Sequence, residues 1–308
     1  MSRTGNSFKN ASFALISQLI TTTISFVTRT ALIKSLGIQA VSLNGLFSEV
    51  IMMLSLTEMG VGTAIVYNLY KPLAEGDQEK VRQLLNLFKK AYGTIALVTF
   101  VLGVLLTPWI QYLVDDLDYT IQYIRIVYLL FVVQTSATYL FSYKTALLNA
   151  DQKKYIISNI TISVKAIGMI FLVVLLFTTH DYIIFLIGNI TVNLTINIVA
   201  SIVVERNYPY IQDKSELPVE EKKQVFSNIK SIFIRTLSGK ITNSTDNILI
   251  STLVSTLLVG YYSNYSLFFN VIKQLGNQLV GGISGSLGNL LATAEPDHSE
   301  VILKRLTF

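Results

Sequence analysis

AYGTIALVTFVLGVLLTPWIQYLV, residues 91–114, contains no charged side chain, and neither does YIIFLIGNITVNLTINIVASIVV, residues 182–204. A helix needs roughly 20 apolar residues to cross about 30 Å of hydrocarbon. Both stretches meet that length, so each predicts a spanning helix. Segments of the same kind recur on either side. The reading gives helices at Ser12–Leu36, Val41–Tyr70, Ala91–Val114, Thr120–Tyr143, Tyr155–Thr179, Tyr182–Val204, Asn228–Leu253 and Leu258–Leu291. The predicted fold class is all-α: a polytopic membrane protein with about eight transmembrane helices. Arg3 and Lys9 precede the first apolar run as they would in a secretory signal. That run outlasts signal length, and no small-x-small site closes it, so helix 1 is expected to stay.

Composition agrees. The 308 residues are 51% hydrophobic and 14% charged, against about 25% charged for soluble domains. Mean hydropathy is +0.53 and the pI about 9.1. A disordered chain is excluded and a water-soluble domain disfavoured. With no cysteine there is no disulfide, thiol nucleophile or thiolate metal site. His180 and His298 are too few and too far apart for a histidine metal site. No metal, cofactor or catalytic residue is predicted.

The net charge of +5 does not call for nucleic acid once the cations are located. With the N-terminus inside, the cytoplasmic segments hold Lys71, Lys80, Arg82, Lys89, Lys90, Lys144, Lys153, Lys154, Arg206, Lys214, Lys222 and Lys223. The outer turns near Gly37–Ala40, Asp115–Asp118, Thr178–Asp181 and Thr256–Val259 hold no lysine or arginine. They carry Asp115, Asp116, Asp118 and Asp181. This is the positive-inside pattern, and the inner leaflet accounts for the basic balance. The outer turns are short, so recognition is expected between helices or on cytoplasmic loops.

An internal repeat organises the chain. Asn68-Leu69, Glu75-Gly76-Asp77, Val81 and Phe88 align with Asn289-Leu290, Glu295-Pro296-Asp297, Val301 and Phe308, at an offset near 220. Phe8-x-Asn10 and Phe226-x-Asn228 align at 218. Helices 7 and 8 are therefore expected to begin a second, parallel copy of helices 1 to 6. The domains expected are a six-helix lobe at residues 1–204, a cytoplasmic linker at 205–227 and a partial second lobe at 228–308. The sequence stops before a counterpart of helix 3, so a truncated product is the expectation.

Charges inside the spans locate the candidate site. The cations are Arg29, Lys34, Arg125, Lys165, Arg235, Lys240 and Lys273; the carboxylates are Glu49, Glu58 and Asp246. A charge at the bilayer centre costs about 2.5–3.5 kcal/mol on the lenient insertion scale. Lys34, Arg125 and Arg235 lie near helix ends and are expected to snorkel. Arg29, Lys165, Lys240 and Lys273 lie deeper and are the candidate cavity cations. Gln18, Thr22, Ser25 and Arg29 recur at i, i+4, i+7 and i+11, which is one helix face. Thr236, Lys240, Asn243 and Asn247 repeat that spacing, and Asn270, Gln274 and Asn277 flank Lys273. Asn189, Asn193 and Asn197 are read as helix-packing amides. A basic vestibule suits phosphate or pyrophosphate. Glu58 and Asp246 are either salt-bridge partners of the cations or carriers of a coupling proton or sodium ion. Gly281-x-x-x-Gly285 is a packing motif, and no Gly-Lys-Ser/Thr follows it to make a nucleotide loop.

A family resemblance rests on Arg29 with Leu36-Gly37; on Asn68-Leu69-Tyr70-Lys71-Pro72-Leu73-Ala74, Glu75-Gly76-Asp77 and Phe88-Lys89-Lys90-Ala91-Tyr92; and on Thr245-Asp246-Asn247 with Val259-Gly260-Tyr261-Tyr262-Ser263-Asn264-Tyr265. In these, over nearly its whole length, the chain resembles the polysaccharide biosynthesis and O-antigen repeat-unit flippases of the multidrug/oligosaccharidyl-lipid/polysaccharide exporter superfamily. The resemblance implies two six-helix lobes around a central cavity, alternating access, and an undecaprenyl-pyrophosphate-linked oligosaccharide as cargo. It also implies the bacterial cytoplasmic membrane as location. Membrane lipids and other polysaccharide-assembly membrane proteins are the implied partners. Two alternatives remain: a multidrug or organic-cation exporter of the same fold, and a membrane-embedded polysaccharide polymerase or glycosyltransferase. The first would be expected to present carboxylates in the cavity. The second needs a clustered acid/base or metal-binding carboxylate set, and the only dense carboxylates, Asp115, Asp116 and Asp118, sit on an outer turn.

Overall fold

The computed structural model describes residues 3–58, 61–114, 116–213, 215–227, 229–230 and 246–273. All regular structure among them is helical. The elements are α1 (Arg3–Leu54), α2 (Val61–Glu75), α3 (Gln78–Leu106), α4 (Ile121–Ala150), α5 (Lys154–Thr179), α6 (Tyr182–Asn207), α7 (residues 219–227), α8 (Asp246–Leu253) and α9 (residues 256–273). Among the described residues, five helices are long and apolar enough to cross a membrane, and the chain is a multi-pass membrane protein.

α1 is two spans in one. It breaks at Gly37, where φ is 80° and ψ −176°, a region essentially reserved for glycine. Contacts with α9 show that the chain turns back there. Before the break, Arg29 bonds Asn264 and Phe26 packs on Phe268. After it, Ser42 bonds Leu257 and Gly45 abuts Ser263. The two limbs thus follow α9 in opposite senses, as the separate helices 1 and 2 of the sequence reading require.

Helix ends follow from local chemistry. The side chains of Asp77, Thr120 and Asp181 accept bonds from the backbone N–H groups of Lys80, Tyr123 and Ile183, capping α3, α4 and α6. His180 ends α5 in the left-handed region, with φ 48°. Where boundaries differ from the sequence reading, polar residues prove to be helical. The span read as Val41–Tyr70 is interrupted by a 3₁₀ turn at Ser55–Glu58. The segment read as the loop after helix 2 is helical on both sides of Gly76, and α3 starts at Gln78 rather than Ala91. α4 runs on to Ala150. Of helices 7 and 8, only α8, α9 and a short piece near residue 230 lie within the described residues.

Two apolar cores stack along the bundle. One joins Leu43, Leu46 and Phe47 of α1 to Tyr128 of α4, Leu176 of α5 and Tyr182 of α6. The other joins Leu69, Phe88, Leu147 and Val204. Leu217 and Val225 belong to this second core at 3% and 5% exposure. The polar stretch read as a linker is therefore docked on α3. Ion pairs Lys80–Glu221, Arg82–Asp213 and Lys90–Glu216 reinforce it, although exposed pairs of this kind contribute little individually. The Lys90 hydrogen bond and the Lys222 charge hold the Glu216 carboxyl below its usual range.

Between helices, glycine permits close contact. A Cβ at Gly103 would lie 2.5 Å from Val132, and one at Gly168 would lie 2.6 Å from Val192. Small residues let helix backbones approach where lipid offers no hydrophobic drive to associate. Ile167, Ile170, Val174 and Phe177 form an exposed apolar face on α5.

Gly37 and Gly93 give a matched test. Neither would place a Cβ within 4 Å of another group, but only Gly37 has a positive φ. Gly37→Ala is expected to cost about 1–3 kcal/mol through backbone strain alone. Gly93→Ala, inside α3, should be neutral or stabilising by up to about 1 kcal/mol. Unfolding titrations of the two variants in mixed micelles check the difference.

Candidate functional site

Between the two limbs of α1 and helices α8 and α9 lies a recess of about 440 Å³. The first limb contributes Gln18, Thr21, Thr22, Ser25 and Arg29; the second contributes Asn44, Gly45, Ser48, Glu49 and Met52. α5 supplies Lys165, α8 supplies Asn247, and α9 supplies Ser263, Ser266 and Asn270. Each set recurs at three to four residues, so each helix turns one polar stripe to the recess. The stripe read on helix 1 lines it in full.

At one end of the bundle, bonds tie the interhelical turns together. Gln39 donates to Asp118 at 2.7 Å, Ser35 donates to the Leu176 carbonyl at 2.8 Å, and Ser251 bonds the Leu113 carbonyl. These bonds gather the turns after the first limb, α3, α5 and α8 at the aspartate-bearing end. There α9 meets α1 along a seam of small residues. A Cβ at Gly45 would lie 3.3 Å from Ser263 Cβ, and one at Gly260 would lie 2.5 Å from Ser42 Oγ. From the seam the recess runs past Ser25 and Ser266 toward Gln18 and Asn270.

Among the described residues its charges are two cations and one carboxylate, Arg29, Lys165 and Glu49. Arg29 donates from Nε to Asn264, while its Nη2 is buried without a partner among the described residues. Lys165 makes no hydrogen bond or ion pair among the described residues. Glu49 is engaged: its Oε2 accepts from the Asn247 backbone N–H at 2.7 Å, capping α8 from another helix. Asn247 Oδ1 and Ser263 Oγ are likewise buried without partners among the described residues. Buried polar atoms in proteins nearly always find a partner. Three unpartnered atoms, one of them on a charged group, lie around this recess among the described residues.

A second recess, about 380 Å³, adjoins the first. Ser25, Arg29, Asn44, Lys165 and Leu267 line both. Asn189 and Asn193 of α6, read as packing amides, line this recess. They bond along their own helix, Asn193 Nδ2 reaching Asn189 O at 2.9 Å, and among the described residues join no second helix.

Other predicted residues fall elsewhere. Lys273 is exposed, beyond Asn270 and Val271, and lines neither recess. Glu58 lines a separate recess with Tyr92, Ser142 and Asn149, where it accepts from Tyr92 Oη at 3.2 Å. Asp246 is exposed and accepts from Tyr262 Oη at 2.7 Å. Lys240 and Asn243 lie outside the described residues, as do Thr236, Gln274, Asn277 and Gly281-x-x-x-Gly285. Glu49, named in the sequence only as a carboxylate within a span, lines the recess, as do Thr21, Asn44, Ser48, Ser263 and Ser266, which the sequence reading does not assign to the site. The signal was present in Asn44, Ser48 and Met52, which share a helix face with Glu49.

Comparison with known proteins gives a family. Residues 7–282 match the family described as polysaccharide biosynthesis protein. No curated protein and no solved structure matches the chain. The matched span takes in every described residue that lines the two recesses. By that match the chain belongs to the polysaccharide biosynthesis protein family.

Proposed function

We propose that the chain serves as a flippase for a lipid-linked oligosaccharide. In this reading it moves a repeat unit carried on a polyisoprenyl pyrophosphate, such as undecaprenyl pyrophosphate, across the bacterial cytoplasmic membrane for surface-polysaccharide assembly. The N-terminus and the lysine-rich end face the cytoplasm. The observation that carries the reading is the pairing of Arg29, with an unpartnered Nη2, and Lys165 in one polar recess. Cations in hydrocarbon are costly unless water or an anion meets them. A pyrophosphate offers several acceptor oxygens and charge-assisted hydrogen bonds. The hydroxyls and amides around them suit sugar hydroxyls. A cation exporter would need free carboxylates here, whereas Glu49 is held by the α8 backbone. Lys240, which lies outside the described residues, is proposed as a third cation for the same group.

Movement follows by alternating access. The seam at Gly45 and Gly260 closes the aspartate-bearing end, so release on that side requires α9 to part from α1. Cargo must bind the two states differently for this to drive transport.

Two outcomes follow. Arg29→Gln and Lys165→Gln should each lower polysaccharide export by about tenfold or more at unchanged membrane abundance, the scale of a lost charge-assisted bond. Export at the wild-type level in both would remove the anionic-cargo reading, and a parallel loss of protein would make the residues structural. The second concerns the seam. The 3.3 Å between a Cβ at Gly45 and Ser263 Cβ is close to disulfide spacing. Gly45→Cys with Ser263→Cys should therefore cross-link on oxidation, arrest transport, and regain it with reductant. Transport through a fully cross-linked protein would contradict a gate at the seam.

A further inference from the structure

The proposed cargo has a fixed chemical order: sugar, pyrophosphate, isoprenoid. The two recesses have an order too. Arg29 and Lys165 line both and stand at their boundary. On one side the walls are hydroxyls and amides. On the other, Leu32, Met169, Leu172, Phe185 and Val192 form much of the wall, with Leu32, Leu172 and Phe185 each at 5% exposure or less.

We propose that this second recess, between α1, α5 and α6, is a binding compartment for the isoprenoid segment next to the pyrophosphate. The inference rests on the cargo reading above and goes beyond it by assigning a place to the tail. Once the pyrophosphate is drawn to cations inside the protein, the attached isoprene must follow it out of the bilayer. Leaving it in a watery recess would forfeit the free energy of its burial. An apolar wall beside the cations avoids that loss.

Two details fit this role. Asn193 spends an amide hydrogen on the Asn189 carbonyl and also bonds its Oδ1 at 3.1 Å. Asn193 Nδ2 is thereby held along its own helix, beside the apolar side chains of that wall. α5 and α6 also approach closely. A Cβ at Gly168 would lie 2.6 Å from Val192, and one at Gly188 would lie 3.0 Å from Leu172. Those glycines bring the apolar side chains of the two helices together on the recess.

The cysteine-free sequence makes protection from a thiol reagent a direct test. Ser48→Cys reports the first recess and Met169→Cys the second, in the 308-residue chain reconstituted in vesicles. The probes are N-acetylglucosamine pyrophosphate carrying a short polyprenyl chain, and the same compound with methyl in place of the chain. The expected result is that the polyprenyl probe slows maleimide labelling at both positions, while the methyl probe slows it at Ser48→Cys alone. Protection of Ser48→Cys by the polyprenyl probe without protection of Met169→Cys would overturn the tail compartment and leave the cargo reading standing. Equal protection of Met169→Cys by both probes would assign the recess to sugar or phosphate and also overturn it. No protection at either position by either probe would sink the cargo reading itself. A second variant decides the matter if Met169→Cys is unreactive. Met169→Gln should cut the preference for the polyprenyl over the methyl probe by about tenfold, and an unchanged preference contradicts the inference.

Discussion

A cation cannot rest in hydrocarbon without water, an anion or a partner, and much of this structure is arranged around Arg29 and Lys165. Arg29 sits eight residues before the break in α1, on the only limb face that carries Gln18, Thr22 and Ser25 as well. The second limb returns Asn44, Ser48 and Glu49 to the same space, α5 brings Lys165, and α9 adds Ser263, Ser266 and Asn270. No described carboxylate forms an ion pair with either cation. The one carboxylate among the described lining residues is committed to the backbone of α8. The charge is thus kept available inside the protein, which is the property that an anion-carrying transporter requires.

Glycine makes the arrangement possible in two distinct ways. At Gly37 it supplies a backbone conformation that other residues resist, and the chain turns back on itself without a long loop. At Gly45, Gly103, Gly168, Gly188 and Gly260 it supplies closeness. Helices in lipid are held by packing rather than by hydrophobic drive, so the seams they form decide where space is left. The seam between α1 and α9 borders the first recess. The seam between α5 and α6 shapes the second.

The helical content and most spans were legible in the sequence because apolar length is the dominant signal in a membrane chain. The Tyr182 start of α6 and the Thr179 end of α5 are marked by Asp181 and His180, and the structure uses both. Polar helix was harder to read. Gln78–Lys90 has no membrane-length apolar pattern, and its helicity comes from the Asp77 cap and from Val81, Leu84, Leu85 and Phe88 packing on neighbours. Within the site, the Gln18–Arg29 stripe followed from helical spacing alone. The face that Glu49 shares with Asn44 and Ser48 is legible in the same way, but its bond to the N-terminus of α8, 198 residues on, is a tertiary contact that spacing does not show. Lys273 lines neither recess among the described residues, since depth along a predicted span does not say where a cavity ends. Glu58 and Asp246, read together as partners or ion carriers, stand in different surroundings, one beside Tyr92 and the other exposed beside Tyr262.

The central claim is that Arg29 and Lys165 meet the pyrophosphate of a lipid-linked glycan. The most direct measurement is ligand-dependent thermal stabilisation of the purified chain, comparing a polyprenyl-pyrophosphate sugar with the same sugar on a neutral polyprenyl ether. The account predicts stabilisation by the pyrophosphate compound only, falling steeply in Arg29→Gln/Lys165→Gln. Equal stabilisation by the neutral compound, or a double variant that responds like the wild type, would contradict it.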